Sequence, residues 1–190
     1  DAFENGKINF SFAKFFEMDK NRSVQGRVYD SFSPFKNPRD VAKLLNLIFY
    51  NDEYEDDHKL FPFSRNNSKV DFAHTFWMLP SVDACVALHE MLAAQHPEFA
   101  VVNATGDNDG GDALLAVKEA IRKNERTITL SAQKLTTGTT VPEWTAVFML
   151  SNMASPLQYM QTIFRVKSVG SLADGRQKEG GYVFDFTPDR

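Results

Sequence analysis

Residues 127–168 read TITLSAQKLTTGTTVPEWTAVFMLSNMASPLQYMQTIFRVKS, and the order of features in this stretch decides the fold class. A short apolar strand, Thr127-Ile128-Thr129-Leu130, comes first. A polar turn, Leu135 to Pro142, follows and contains Thr136, Thr137 and Gly138. A second strand, Trp144 to Leu150, leads into a helix over Pro156–Val166 that carries Gln161 and Arg165. Residues four apart share one helix face, so the amide and the guanidinium are placed together.

Upstream the same alternation continues. His74 to Leu79 is an unbroken apolar run, the composition of a strand covered on both faces of a parallel sheet. Pro80-Ser81 ends it, and Ser81 can cap a helix whose apolar stripe is Val82, Cys85, Val86, Leu88, His89 and Leu92. Phe99–Val102 is the next strand, and Asp107–Asp112 opens a helix over Ala113–Lys123. Downstream, Ser171–Gly181 is a Gly- and charge-rich loop, and Tyr182–Phe186 is a last strand. Strands alternating with helices over short connections predict an α/β fold, a three-layer, mostly parallel sheet.

Residues 1–70 read differently from residues 71–190 and are expected to form an irregular or helical connector or insertion. Phe3, Phe10, Phe12, Phe15, Phe16, Phe32 and Phe35 match neither the helical nor the strand period. They either line a local core or mark an interface with another domain. Asn37-Pro38 is a helix start, followed by Val41, Leu44, Leu45, Ile48 and Phe49 at helical spacing up to about Asn51. Asp52 to His58 is acidic, but its carboxylates lack a fixed ligand spacing and read as a solvated loop.

The composition narrows the functional classes. Apolar residues are 43% of the 190-residue chain and aromatics 13%, enough for a core and contrary to disorder. The net charge of −4 offers no basic patch, so contacts to nucleic acid would rest on backbone N–H groups. The single cysteine, Cys85, excludes an internal disulfide and reads as an inert buried thiol. No apolar run is long enough to span a membrane. Asp1-Ala2-Phe3 has neither an initiator Met nor a signal pattern, which reads as a start inside a longer protein.

Open parallel sheets bind ligands beyond the carboxyl ends of their strands. Four small polar segments are expected there: Pro80-Ser81-Val82, Asn103-Ala104-Thr105-Gly106, Thr136-Thr137-Gly138 and Ser151-Asn152-Met153. Helix starts and Gly turns present free N–H groups to anions. The same residue types also serve simply as caps, and each segment taken singly reads as structural. Gln161 and Arg165 could hold a nucleotide and neutralise charge on a transferring phosphoryl group, or Arg165 could lay its stem over the core. His74 and His89 sit in apolar patterns and read as packed histidines.

Three of these segments resemble motifs of superfamily 2 helicases. His74–Ser81 is similar to motif IV, Leu135–Trp144 to motif V, and Ser155–Arg165 to motif VI. Their order and spacing also match over about residues 70–190. The resemblance is to the motor subunits of type I or type III restriction enzymes, with Phe164-Arg165 in motif VI and Asp185-Phe186 closing the sheet. It implies a RecA-like C-terminal helicase lobe. It further implies that Arg165 is an arginine finger on ATP, with Gln161 ordering the same interface and Thr137 and Gly138 beside the nucleotide. Ser81, Val82, Thr105, Thr136 and Thr137 would meet the DNA backbone. Two positions depart from the pattern: Phe164 stands where Gly is frequent, and Ser168 where a second arginine is frequent.

The implied partners are double-stranded DNA, a first RecA-like lobe of the same parent chain, and methylation or specificity subunits, in the cytoplasm and with no membrane. No Gly-x-x-x-x-Gly-Lys-Ser/Thr loop occurs in the sequence. ATP and magnesium would therefore be bound mainly by the first lobe, and this piece alone is not expected to hydrolyse ATP. A non-catalytic α/β interaction module is the alternative, with residues 1–36 and the acidic loop as its surfaces.

Overall fold

The computed structural model describes residues 3–4, 7–8, 10–19, 34–49, 63, 72–105, 110–132, 141–171 and 175–187. The acidic loop 52–58, Gly106, and the turn holding Thr136, Thr137 and Gly138 lie outside the described residues.

A small antiparallel ribbon, β1 (Phe3–Glu4) with β2 (Lys7–Ile8), starts the chain. Helix α1 (Phe12–Phe15) and helix α2 (Pro38–Phe49) follow. The α/β part then runs β3 (His74–Met78), α3 (Val82–Gln95), β4 (Ala100–Asn103), α4 (Gly110–Lys123), β5 (Thr127–Ser131), β6 (Ala146–Met149), α5 (Pro156–Ile163), a 3-10 turn (Phe164–Val166) and β7 (Tyr182–Asp185).

The strands pair in the order β4-β5-β3-β6-β7, and every pairing is parallel. β3 is the central strand and is buried along its whole length, as are β5 and β6. That burial explains why these segments are continuously apolar or threonine-rich rather than alternating. From β3 the chain moves toward β4, and from β6 it moves the other way to β7. The two neighbouring strands therefore send their connections in opposite directions, and the sheet has its switch point between them.

Side chains alternate between the two faces. Trp77, Leu79, Ile128, Leu130, Phe148 and Leu150 face one core with α1, α2 and α3. Phe76, Met78, Val147 and Met149 face the other with Val117 of α4 and with Trp144, Val166 and Tyr159. This is a three-layer arrangement. Phe148 centres the first core: its ring lies 4.7 Å from Trp77, 5.1 Å from Phe184 and 5.7 Å from Phe63.

Described residues from before position 71 contribute to the same core. Phe12, Phe16 and Phe35, with Val41, Leu45, Ile48 and Phe49 of α2, are all buried there with the sheet residues. The described phenylalanines of residues 10–35 thus line a core rather than an outward face. Phe49 also stacks on His96 at a ring separation of 3.7 Å, joining α2 to the end of α3.

Two expectations are corrected. The sheet-facing stripe of α3 is Ala84, Cys85, Ala87, Leu88, Met91 and Leu92, while Val82 and Val86 are exposed. The helix expected over Pro156–Val166 ends at Ile163 and tightens into the 3-10 turn.

Candidate nucleic-acid and nucleotide interface

Ser81 follows the carboxyl end of β3 in extended backbone and caps α3, its Oγ accepting from the Ala84 N–H at 3.1 Å. The first N–H groups of a helix have no intrahelical acceptor. At Val82 this group stands on an exposed residue, so the geometry suits a phosphate oxygen. Asp83 lies in the same first turn and opposes an anion there.

Thr105 is committed internally. Its hydroxyl donates to Asn103 Oδ1 at 2.6 Å, and its N–H donates to the same oxygen at 3.1 Å. With Thr105 4% exposed, this is a side-chain-closed turn after β4 rather than a displayed donor.

The segment after β6 is committed as well. Asn152 Oδ1 accepts from the Phe12 N–H at 2.7 Å, and Asn152 Nδ2 donates to the Phe10 carbonyl at 3.2 Å. One carboxamide thus pairs with the main chain of α1 as a neighbouring strand would. This contact joins residues 140 apart, so no local pattern announces it.

Gln161 and Arg165 sit elsewhere. α5 starts just beyond the carboxyl end of β6 and runs back, so the 3-10 turn reaches the opposite edge of the sheet. Two close approaches fix that end. A Cβ on Gly181, just before β7, would stand 2.1 Å from the Val166 carbonyl oxygen. A Cβ on Gly170 would stand 2.4 Å from Pro142 Cβ, ahead of β6. Lys178 Nζ donates to the Pro142 and Trp144 carbonyls on the same side. Burial lowers the Lys178 pKa, and Glu143 partly offsets this.

Gln161 is half-buried, and Arg165 is buried at 6% exposure, with desolvation lowering its pKa. The structure therefore keeps Ser81 and Val82 at the carboxyl edge and Arg165 at the amino edge; it does not bring them into one pocket. His74, one of the two histidines considered, is buried with its Nδ1 3.0 Å from Thr127 Oγ1, which ties β3 to β5. Among the described residues no group of three or more His, Cys, Asp or Glu is arranged to hold a metal ion.

No family model matches the chain. Among solved structures, one titled "Crystal structure of the C-terminal part of Fun30 ATPase domain" superimposes with a TM-score of 0.50 over 82% of this chain and 42% of that one, at 14% identity. The chain has the fold of a RecA-like lobe.

A curated relative of this RecA-like lobe comes from Mycoplasma pneumoniae and bears the name "Putative type II restriction enzyme and methyltransferase RM.MpnORF110P C-terminus". It is 33% identical over 198 aligned residues, which take in 96% of the present chain. The RecA-like lobe spans 26% of that relative's length. The name specifies type II, whereas the motif resemblance pointed to type I or type III enzymes. No helix among the described residues is long and apolar enough to cross a membrane.

Proposed function

We propose that this RecA-like lobe is the second motor lobe of an ATP-dependent DNA translocase within a restriction enzyme. The observation that carries the reading is the likeness over nearly the whole chain to a protein named as a restriction enzyme and methyltransferase. The parallel sheet with its switch point between β3 and β6 supports it. A first lobe, outside this sequence, would supply the phosphate-binding loop and hold ATP and magnesium. A methyltransferase or specificity unit would be a further partner.

In this reading the Val82 N–H meets a DNA phosphate at the carboxyl edge, and the Thr136–Gly138 turn couples that edge to the nucleotide. Arg165, with Gln161 beside it, neutralises the γ-phosphate across the lobe boundary. Because Arg165 is buried within this lobe, that role requires the 3-10 turn to open when the first lobe docks. The test uses the longer parent protein. Arg165→Ala is expected to lower DNA-stimulated ATP turnover by about 10³-fold or more, the scale of an arginine finger. Unchanged turnover removes the role.

One observation favours a second reading, a protein-interaction module. Leu157, Met160 and Phe164 lie along one side of α5 and the 3-10 turn and are 68%, 44% and 54% exposed. Polar substitutions at Leu157 and Phe164 that release a partner while DNA-stimulated turnover persists would favour that module.

A further inference from the structure

We propose that Lys178 is a positioning residue for Arg165, fastening the chain that follows the 3-10 turn to the segment that leads into β6. The inference rests on the translocase reading and adds to it a residue from outside the three helicase-like segments. A continuous run of contacts carries it.

The run starts at Arg165 itself. Ser168 Oγ donates to the Arg165 carbonyl at 3.2 Å, and the Lys167 N–H donates to the Phe164 carbonyl at 3.2 Å. Further on, Gly170 lies so close to Pro142 that a Cβ on it would stand 2.4 Å from the proline Cβ. The Gly170 carbonyl accepts from the Lys178 N–H at 2.9 Å, and Ser171 forms an antiparallel bridge with Gln177. The described residues on either side of this pairing form two arms, one leaving the 3-10 turn and one leading to β7. The returning arm ends at Gly181, against the Val166 carbonyl.

Lys178 ties both arms to the sheet. Its Nζ donates to the Pro142 carbonyl at 3.1 Å and to the Trp144 carbonyl. Neither carbonyl receives a main-chain N–H among the described residues, so the lysine supplies the donors. An ammonium half withdrawn from water is costly unless such acceptors replace its hydration. Trp144 is fully buried with its ring 4.6 Å from Phe76 of β3, so the anchorage reaches the central strand. Arg165 is buried, and its approach to a γ-phosphate requires the 3-10 turn to open. With the following arm held by Lys178, the turn opens about a fixed flank and delivers the guanidinium to one place. Such preset placement is what makes an electrostatic contact effective in a transition state.

The experiment measures DNA-stimulated ATP turnover by the longer parent protein. Lys178→Met keeps most of the side-chain length and removes the donors. It is expected to lower kcat by about 10- to 10²-fold, the scale of a misplacement of about 1 Å, with KM for ATP unchanged. Gly170→Ala pushes the arm off Pro142 with the lysine intact and should lower kcat in the same way; it carries the test if Lys178→Met does not fold. Either change combined with Arg165→Ala should be no slower than Arg165→Ala alone, because both act through one guanidinium. Additive losses would show that the arms support the lobe at large and would overturn the inference. Full kcat for Lys178→Met and Gly170→Ala beside a slow Arg165→Ala would also overturn it and leave the translocase reading standing. Full kcat for Arg165→Ala would remove the arginine finger and the role of Lys178 together.

Discussion

Phe148 is the residue on which the first core turns. It is fully buried and touches the aromatic rings of Trp77 in β3, of Phe63 and of Phe184 in the closing strand. Phe148→Ala should cost about 3–5 kcal/mol, measured as a fall in the free energy of unfolding in urea. Cys85 gives a prediction in pH. Burial pushes its thiol up to about 12 from an ordinary value of 9.0. The folded state therefore keeps its proton after the unfolded chain has lost it. That contribution is complete below pH 9 and is lost as pH rises toward 12, at about 1.4 kcal/mol per unit within the window. Comparing the unfolding of wild type and Cys85→Ala across this range isolates it from lysine and tyrosine titration; parallel curves would refute it. That Cys85 is buried was legible from Val82, Ala84 and Val86 around it, although two of those neighbours proved to be wrong about direction. Val82 and Val86 are apolar yet exposed, because the buried face of α3 runs through Ala84, Cys85, Ala87, Leu88, Met91 and Leu92 instead.

At the level of elements, strands were the easier reading. β3, β5 and β6 announce themselves as uninterrupted apolar or threonine-rich runs because both of their faces are covered. The end of α5 was not legible, since Ile163, Phe164 and Val166 continue the apolar pattern through the change to 3-10 geometry. Gly181 shows what the turn requires. The Val166 carbonyl lies where a side chain would begin, so Gly181→Ala must push the turn away from β7. A loss of about 1–3 kcal/mol is expected, the usual cost of overpacking, seen as a lowered midpoint in thermal unfolding. The start of α3 permits a cleaner substitution. Val82 is the first helical residue, and Ser81 before it has φ −152° and ψ 161°, a conformation proline tolerates in its predecessor. Val82→Pro should leave the melting temperature nearly unchanged while deleting the N–H offered to a phosphate. Duplex affinity should fall, and an unaltered salt titration would exclude that contact.

For the molecule as a whole, the sequence conveyed the layer order and the parallel wiring but not the integration of its first third. The described phenylalanines of residues 10–35 (Phe10, Phe12, Phe15, Phe16 and Phe35) fit no period because they come from a four-residue helix, its flanks and a bridge between Met18 and Phe35, each contributing one or two rings to a core built mainly by others. The Asn152 contact was likewise unreadable, since its partners lie at the other end of the chain. The Ser81 cap and the start of α3 at Val82 were legible, because caps and helix starts obey local rules. The bonds of Thr105 to Asn103 were not legible, nor was the burial of Arg165, which depends on how the chain returns from α5 to β7.

The central position of β3 has a consequence for how the chain is made. The main-chain carbonyl of His74 waits for the hydroxyl of Thr145, 71 residues later. At ribosomal rates of about 5–20 residues per second, this strand emerges with neither neighbour and stays exposed for roughly 4–14 s. A nascent chain halted after α4 should therefore be held by chaperones and be sensitive to protease, and protection should arrive abruptly once β6 has cleared the exit tunnel.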